Sequence, residues 1–328
     1  MLTTRPSSPE ASTKTTVAAP AQSIDATLLA IRTRIRALVE IAAANASTIS
    51  LNELRVLLPA SRFPTDAALE RFLSTDERLS IRLSAIGGEV TLRGREDLAS
   101  ERRFQRDLTK ERLAKANHFL RNFAKKFPWI ELAGVSGSIA YGGAKPGDDI
   151  DFFLVTREGR LWISLLLAMV AARLERLRLR DAPVYCFNRI IERPACERAF
   201  RENREPLFAR EALNLVVLRG RDLYGRLLAS ASWMEKHFRE LYAARLKAAS
   251  KLSAGSRAGN HFAGSVLNAG AFLGLGPYLW LMGVARNVRL RKQGRDKECF
   301  RTIIKSDFYA TESTIYDELR EEYRRVFA

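Results

Sequence analysis

The chain has 328 residues, room for one large domain or two ordinary ones, and its 47% hydrophobic and 28% charged shares sit near globular averages, so most of it should fold around buried cores. Three isolated cysteines (Cys186, Cys196, Cys299) and three histidines (His118, His237, His261) form neither a CxxC pair nor a zinc-type spacing, which excludes the usual structural zinc sites and fits a reducing, cytoplasmic setting. A formal charge of +17 leaves a polyanionic partner, a phosphate-rich ligand or an arginine-rich proteome, and only local clustering can separate these.

Residues 1–24 are rich in Ser, Thr, Ala and Pro and lack apolar periodicity. Such a segment buries too little surface to offset its ordering entropy and is expected to be a disordered tail. It has no continuous apolar stretch of the kind a secretory signal needs. From Asp25 to Ala44 apolar residues recur at helical spacing (Leu28, Ile31, Ile35, Leu38, Val39). A second helix is expected from Ser50, where Ser50 and Glu53 stand in capping-box relation, and a third after Pro64, with Thr65 as its cap and Leu69, Phe72 and Leu73 on its apolar face. Ile81 and Leu83, then Val90-Thr91-Leu92 after Gly87-Gly88, alternate as the strands of a hairpin. Three helices and a hairpin over 25–97 spell a winged-helix-like module. Its third helix and exit carry Asp66, Glu70, Asp76 and Glu77 against Arg71 and Arg78, which would repel phosphates, so specific DNA binding is not expected of it.

Residues 98–205 read as a mixed α/β core. A long basic helix is expected from Ser100 to Phe127, with Phe104, Leu108, Leu113, Ala116, Leu120 and Phe123 along one face, ended by Pro128. Strands follow at 129–135, 150–155 and 184–191, with an apolar helix over 161–177 before the last of them. Residues 206–328 read as a mainly helical C-terminal region. Phe262 to Ala285 holds no charged residue, but Pro277 and five glycines divide it, so two buried helices meeting near Gly274 to Pro277 are expected rather than a membrane span. Beyond it Arg286, Arg289, Arg291, Lys292, Arg295 and Lys297 cluster, a solvated face or a contact for phosphate, RNA or an acidic surface.

The informative stretch runs from Gly134 to Val155. A strand ending in Gly137-Ser138 lets a phosphate approach the backbone closely, because glycine has no Cβ and tolerates positive φ, while amides and hydroxyl donate. Asp149 and Asp151 stand two apart at the next strand, about 6.6 Å along the backbone on one face, where their mutual repulsion is roughly 2.5 kcal/mol at an effective dielectric near 20. A hard divalent cation fits between them, magnesium or manganese in its place, completed by substrate phosphates. Lys145, in the intervening loop, is a candidate phosphate contact, Arg157 and Arg160 are others, and Tyr141 and Trp162 are candidates for stacking on a base.

This segment resembles the signature of the DNA polymerase β-like nucleotidyltransferase superfamily: an apolar residue, Gly-Ser, a gap, then Asp-x-Asp between apolar residues, with Gly142 as the further glycine often found after the Ser. Over Leu92 to Trp233 it is also similar to poorly characterised prokaryotic proteins with such a domain. The resemblance implies an α+β fold and metal-dependent transfer of a nucleoside monophosphate from an NTP to a hydroxyl or amine, with pyrophosphate released. Gly137, Ser138 and Lys145 would then bind the nucleotide, and Asp149 and Asp151 the metal. The family usually adds a third carboxylate on a later strand, where this chain has Asn188, and Asp181 and Glu192 flank that strand as substitutes. Without a third acid the chain reads alternatively as a nucleotide-binding sensor or scaffold. RNA is a further class of partner through the basic C-terminal region.

Overall fold

The computed structural model describes residues 21–179, 181–250, 263–295 and 298–327, which form an α+β structure with two sheets. The tail expected over 1–24 lies outside the described residues as far as residue 20, and the first helix, α1, spans Ala21–Ala44. Then come β1 (Ile49–Ser50), α2 (Leu51–Arg55), α3 (Asp66–Thr75), α4 (Glu77–Ser80), β2 (Leu83–Ile86) and β3 (Glu89–Leu92). The strands pair antiparallel in the order β1-β3-β2. Local chemistry sets the element starts. Ser50 Oγ accepts from the Glu53 amide at 3.2 Å while the Glu53 carboxylate accepts from the Ser50 amide at 2.8 Å. Thr65 accepts from the Ala68 amide, and Gly87 and Gly88, both at positive φ, turn β2 into β3. Ile35, Leu54, Leu57, Leu69 and Val90 close the small core between these elements. Ile81, expected in a strand, is 72% exposed and ends α4 instead.

The larger sheet has six strands. α5 (Asp97–Lys126) leads into β4 (Ile130–Val135), α6 (Gly137–Ala140), β5 (Ile150–Thr156), α7 (Leu161–Arg178) and β6 (Tyr185–Glu192). After these come α8 (Arg193–Glu202), α9 (Pro206–Asn214), β7 (Val216–Arg219), α10 (Arg221–Ala229), a short 3-10 turn at Ser232–Met234, and α11 (Glu235–Ser250). The chain closes with α12 (Ala263–Lys292), β8 (Phe300–Ile304), β9 (Phe308–Ser313) and α13 (Ile315–Phe327). Strand order is β7-β4-β5-β6-β9-β8, with β5 and β6 parallel through the α7 crossover and every other pair antiparallel. Three of the six strands lie beyond Pro206, so the region expected to be mainly helical also supplies half of the core sheet.

Period-two alternation divides the sheet between two cores. Ile150, Phe152 and Leu154 of β5 and Tyr185 and Phe187 of β6 face α5, α7 and α12, where Phe119 stacks between Phe152 and Tyr185 at 5.7 and 4.3 Å. Leu132, Val155 and Ile191 face the other side, with α8 to α11, α13 and the N-terminal module. The burial of α5 departs from the sequence expectation. Its first half buries Leu98, Arg102, Gln105 and Thr109, whereas Phe104 is 58% exposed, because this half meets polar loops rather than an apolar face.

Gly220, at φ +77 between β7 and α10, sits where a Cβ would fall inside the Glu131 carbonyl of β4. Gly220→Ala combines that clash with a left-handed backbone, and an equilibrium urea titration is expected to show a loss upward of ~2 kcal/mol. An unchanged midpoint would contradict this packing.

α12 also departs from expectation. It is one continuous helix through Pro277 rather than two, and most of its apolar residues are exposed. Among the described residues it is the one helix, over Val266–Lys292, long and apolar enough to cross a membrane.

Candidate active site

β4 ends at Val135, and the Ser136 amide donates to the Asp151 carbonyl at 2.9 Å, holding the following turn against β5. Gly137 makes that turn at φ +66, so close to β5 that a Cβ would overlap a carboxylate oxygen of Asp151. Only glycine meets both conditions. The chain then enters α6, whose first amides have no acceptor within so short a helix. The Ser138 hydroxyl is engaged, donating to Asp148 Oδ2 at 2.8 Å, and the Lys145 amide donates to the same oxygen at 3.0 Å. Asp148 thus closes the loop between the glycine turn and the acidic pair.

Asp149 stands one residue ahead of β5 and Asp151 within it, on the face opposite Ile150 and Phe152. From the parallel neighbour β6, the alternate residues Cys186 and Asn188 reach the same side. The Cys186 thiol donates to Asp149 Oδ2 at 3.3 Å, and the Asn188 amide donates to Asp151 Oδ1. Burial, then Asp149 and Asp151, raise the Cys186 thiol well above its ordinary range, so it remains a protonated donor. Asp151 is pushed up to about 7 by burial and by the charges of Asp149, Asp148 and Glu211, against the opposing Asn188 bond. A carboxyl raised by other carboxylates is a group short of a counter-cation, and the oxygen-rich pair fits a hard divalent ion. Among the described residues no three His, Cys, Asp or Glu side chains converge to hold a metal alone.

The candidate third acids are placed apart from the pair. Glu192 lies opposite Thr156 while Cys186 lies opposite Asp151, which puts Glu192 roughly 16 Å further along the sheet, where it accepts from the Arg160 and Leu161 amides at the start of α7. Asp181 is an exposed turn residue four positions before β6. Asn188 is the one of the three that touches the pair, as an amide donor. The loop candidates are likewise committed. The Lys145 ammonium donates to the Asn45 carbonyl at 2.6 Å, Arg157 pairs with Glu131 at 3.3 Å, and Arg160 lies over the Trp129 ring. Trp162 is a core residue whose indole donates to the Ser306 carbonyl at 3.0 Å.

Sequence reasoning missed two residues that are electrostatically coupled to Asp151. Glu211 of α9 accepts from the Tyr141 hydroxyl at 2.8 Å, and burial raises its carboxyl above the ordinary range against the pull of that bond, Arg189 and Arg210. Tyr316 of α13 feels first the charge of Glu211, then burial, with Asp151 also contributing, and its phenol is raised as a result. Both belong to helices whose only sequence signal is amphipathicity. Below the loop, the buried Arg102 of α5 donates to the Tyr141 carbonyl at 2.8 Å and to the Ser47 hydroxyl at 3.0 Å, joining the glycine loop to the N-terminal module. Two surface cavities of about 510 and 540 Å³ lie elsewhere, beside Trp233 and Pro59, so the acidic pair occupies strand ends rather than either of these hollows. Comparison with protein-family models, with curated proteins and with solved structures found no match.

Proposed function

We propose that the chain is a nucleotidyltransferase of the DNA polymerase β-like kind, moving a nucleoside monophosphate from an NTP to a hydroxyl or amine acceptor. The observation that carries this reading is the approach of the Gly137 turn, after β4, to Asp151 of the adjacent β5, which sets the start of α6 beside the Asp149 and Asp151 carboxylates. The amides of Gly137 and Ser138 bind the triphosphate, and Asp148 keeps their loop in place by bonding Ser138 and Lys145. Asp149 and Asp151 hold a magnesium or manganese ion, which when bound supplies charge neutralisation for the phosphates. Glu211, which holds the Tyr141 hydroxyl of the glycine loop at 2.8 Å and whose charge helps raise Asp151, is proposed to take the acceptor's proton, the task for which Asp181 and Glu192 are misplaced.

Residues 25–97 are read as a winged-helix module that braces the core. Arg102 ties them to the site loop, and the acids of α3 include Asp66, engaged with Arg55 at 2.6 Å. One observation favours a second reading, a nucleotide sensor without turnover: an amide, Asn188, stands against Asp151 in place of a third carboxylate. Glu211→Gln separates the two. An enzyme is expected to keep its nucleotide affinity, measured by calorimetry with Mg²⁺, and to lose ~10² to 10⁴ in turnover. Nucleotide binding by a wild type that releases no pyrophosphate identifies the sensor, and no nucleotide binding at all rejects both readings.

A further inference from the structure

α12 takes no part in the proposed chemistry, yet it carries the largest run of exposed apolar side chains. It meets the protein along one stripe, in which Ala271, Leu275 and Leu279 are buried and Phe272 lies 4.9 Å from Trp162. Polar bonds fix both ends of that stripe. Asn268 Oδ1 accepts from the Trp162 and Ile163 amides at 2.7 and 3.1 Å, and the Asn287 side chain bonds both the amide and the carbonyl of Phe300 at 2.9 Å. Away from the stripe the helix is apolar and open, with Leu273 72%, Trp280 57%, Leu281 58% and Tyr278 47% exposed. α7, packed beside it, adds Leu166, Val170 and Leu174, one helical turn apart and exposed.

The charge pattern is equally one-sided. α12 contains no acidic residue, and its apolar stretch gives way to Arg286, Arg289, Arg291 and Lys292. Among the described residues no carboxylate pairs with Arg289, Arg291 or Lys292. An apolar face of this extent is rare on a monomer in water. Tryptophan and tyrosine within it, and arginines at its end, suit the boundary between headgroups and acyl chains. A second copy would bring the same acid-free, basic helix against itself, with no complement to its charge. Crossing a bilayer is also disfavoured, because Asn268 and Asn287, nineteen residues or roughly 28 Å apart, are both bonded to the folded domain and would have to let go.

We propose that α12, with the adjoining row of α7, attaches this protein peripherally to an anionic lipid surface, the helix lying flat on the bilayer. This does not depend on the nucleotidyltransferase reading. The full-length protein is sedimented with vesicles of phosphatidylcholine alone or mixed with phosphatidylserine. Binding is expected to the mixed vesicles and to weaken with salt. Arg289→Gln/Arg291→Gln/Lys292→Gln is expected to weaken it about 100-fold. Leu273→Ser/Trp280→Ser/Leu281→Ser, all at exposed positions, should abolish it with an unchanged circular dichroism spectrum. Alkaline carbonate should strip the bound wild type from the vesicles. The proposal is overturned by absence of binding to mixed vesicles, by undiminished binding of both triple variants, or by resistance to carbonate. It is equally overturned if vesicles are ignored while the serine variant abolishes self-association or the glutamine variant abolishes binding of RNA.

Discussion

Asp151→Asn is expected to reduce transfer by at least ~10²-fold and, in the absence of metal at pH 8, to make the protein more stable than the wild type. Both effects come from one carboxyl. In the folded chain Asp151 is raised from 3.8 to about 7 by burial and by Asp149, Asp148 and Glu211, so between these values the folded state binds a proton that the unfolded state has released. Stability contributed by the neutral form is therefore full below about pH 4 and lost as pH rises through 7, by at most ~4 kcal/mol. Asparagine keeps the shape without the charge and escapes this loss. A divalent ion should relieve it as well, flattening the wild-type pH dependence and leaving the variant unmoved. Melting temperatures at pH 5 and 8, with and without Mg²⁺, test this. A variant no more stable than wild type at pH 8 would count against the crowding of carboxylates, and undiminished transfer against the role of Asp151.

Arg102→Met is expected to cost ~1 to 3 kcal/mol in a urea titration, the loss typical of leaving a buried polar group without its partner. The guanidinium is 2% exposed, bonds the Tyr141 carbonyl and Ser47, and lies 3.4 Å from Glu53 and 3.9 Å from the nearly buried Glu89. Arg106 and Thr48 still reach Glu89 in the variant, but nothing else described bonds the Tyr141 carbonyl. Transfer should fall alongside stability, because the glycine loop loses its tie to α5. Arg102→Lys should rescue little, since a point charge cannot replace the fork that spans these partners. A loss under ~1 kcal/mol would show that the N-terminal module is held by its apolar contacts instead.

What the sequence made legible was local. The Ser50–Glu53 box, the Thr65 cap, the Gly87-Gly88 turn and the alternation of Ile150, Phe152 and Leu154 each act within a few residues, and each is found in the structure. The glycine turn and the acidic pair were readable for the same reason. Long-range register was not. Glu192 and Cys186 are six positions apart on one strand, and only the pairing with β5 shows that one reaches the acidic pair and the other caps α7. Glu211 and Tyr316 come from helices whose spacing reports amphipathicity and nothing about what the polar side meets. The apolar composition of 262–285 points to burial, the common fate of such stretches, whereas only one stripe of α12 is covered. Strands β7 to β9 are dispersed among helices, with no paired turn or motif beside them to mark them as strands.

Pyrophosphate release by the purified protein decides whether Asp149 and Asp151 serve nucleotidyl transfer. Purified protein is incubated with each labelled NTP in turn, Mg²⁺ and a cell extract as the source of acceptor, beside Asp149→Asn and a chelator control. Release is expected with at least one NTP, abolished by the chelator and by the substitution, which removes one of the two proposed metal ligands. Release that persists in Asp149→Asn, or none from the wild type with any NTP, would contradict this role.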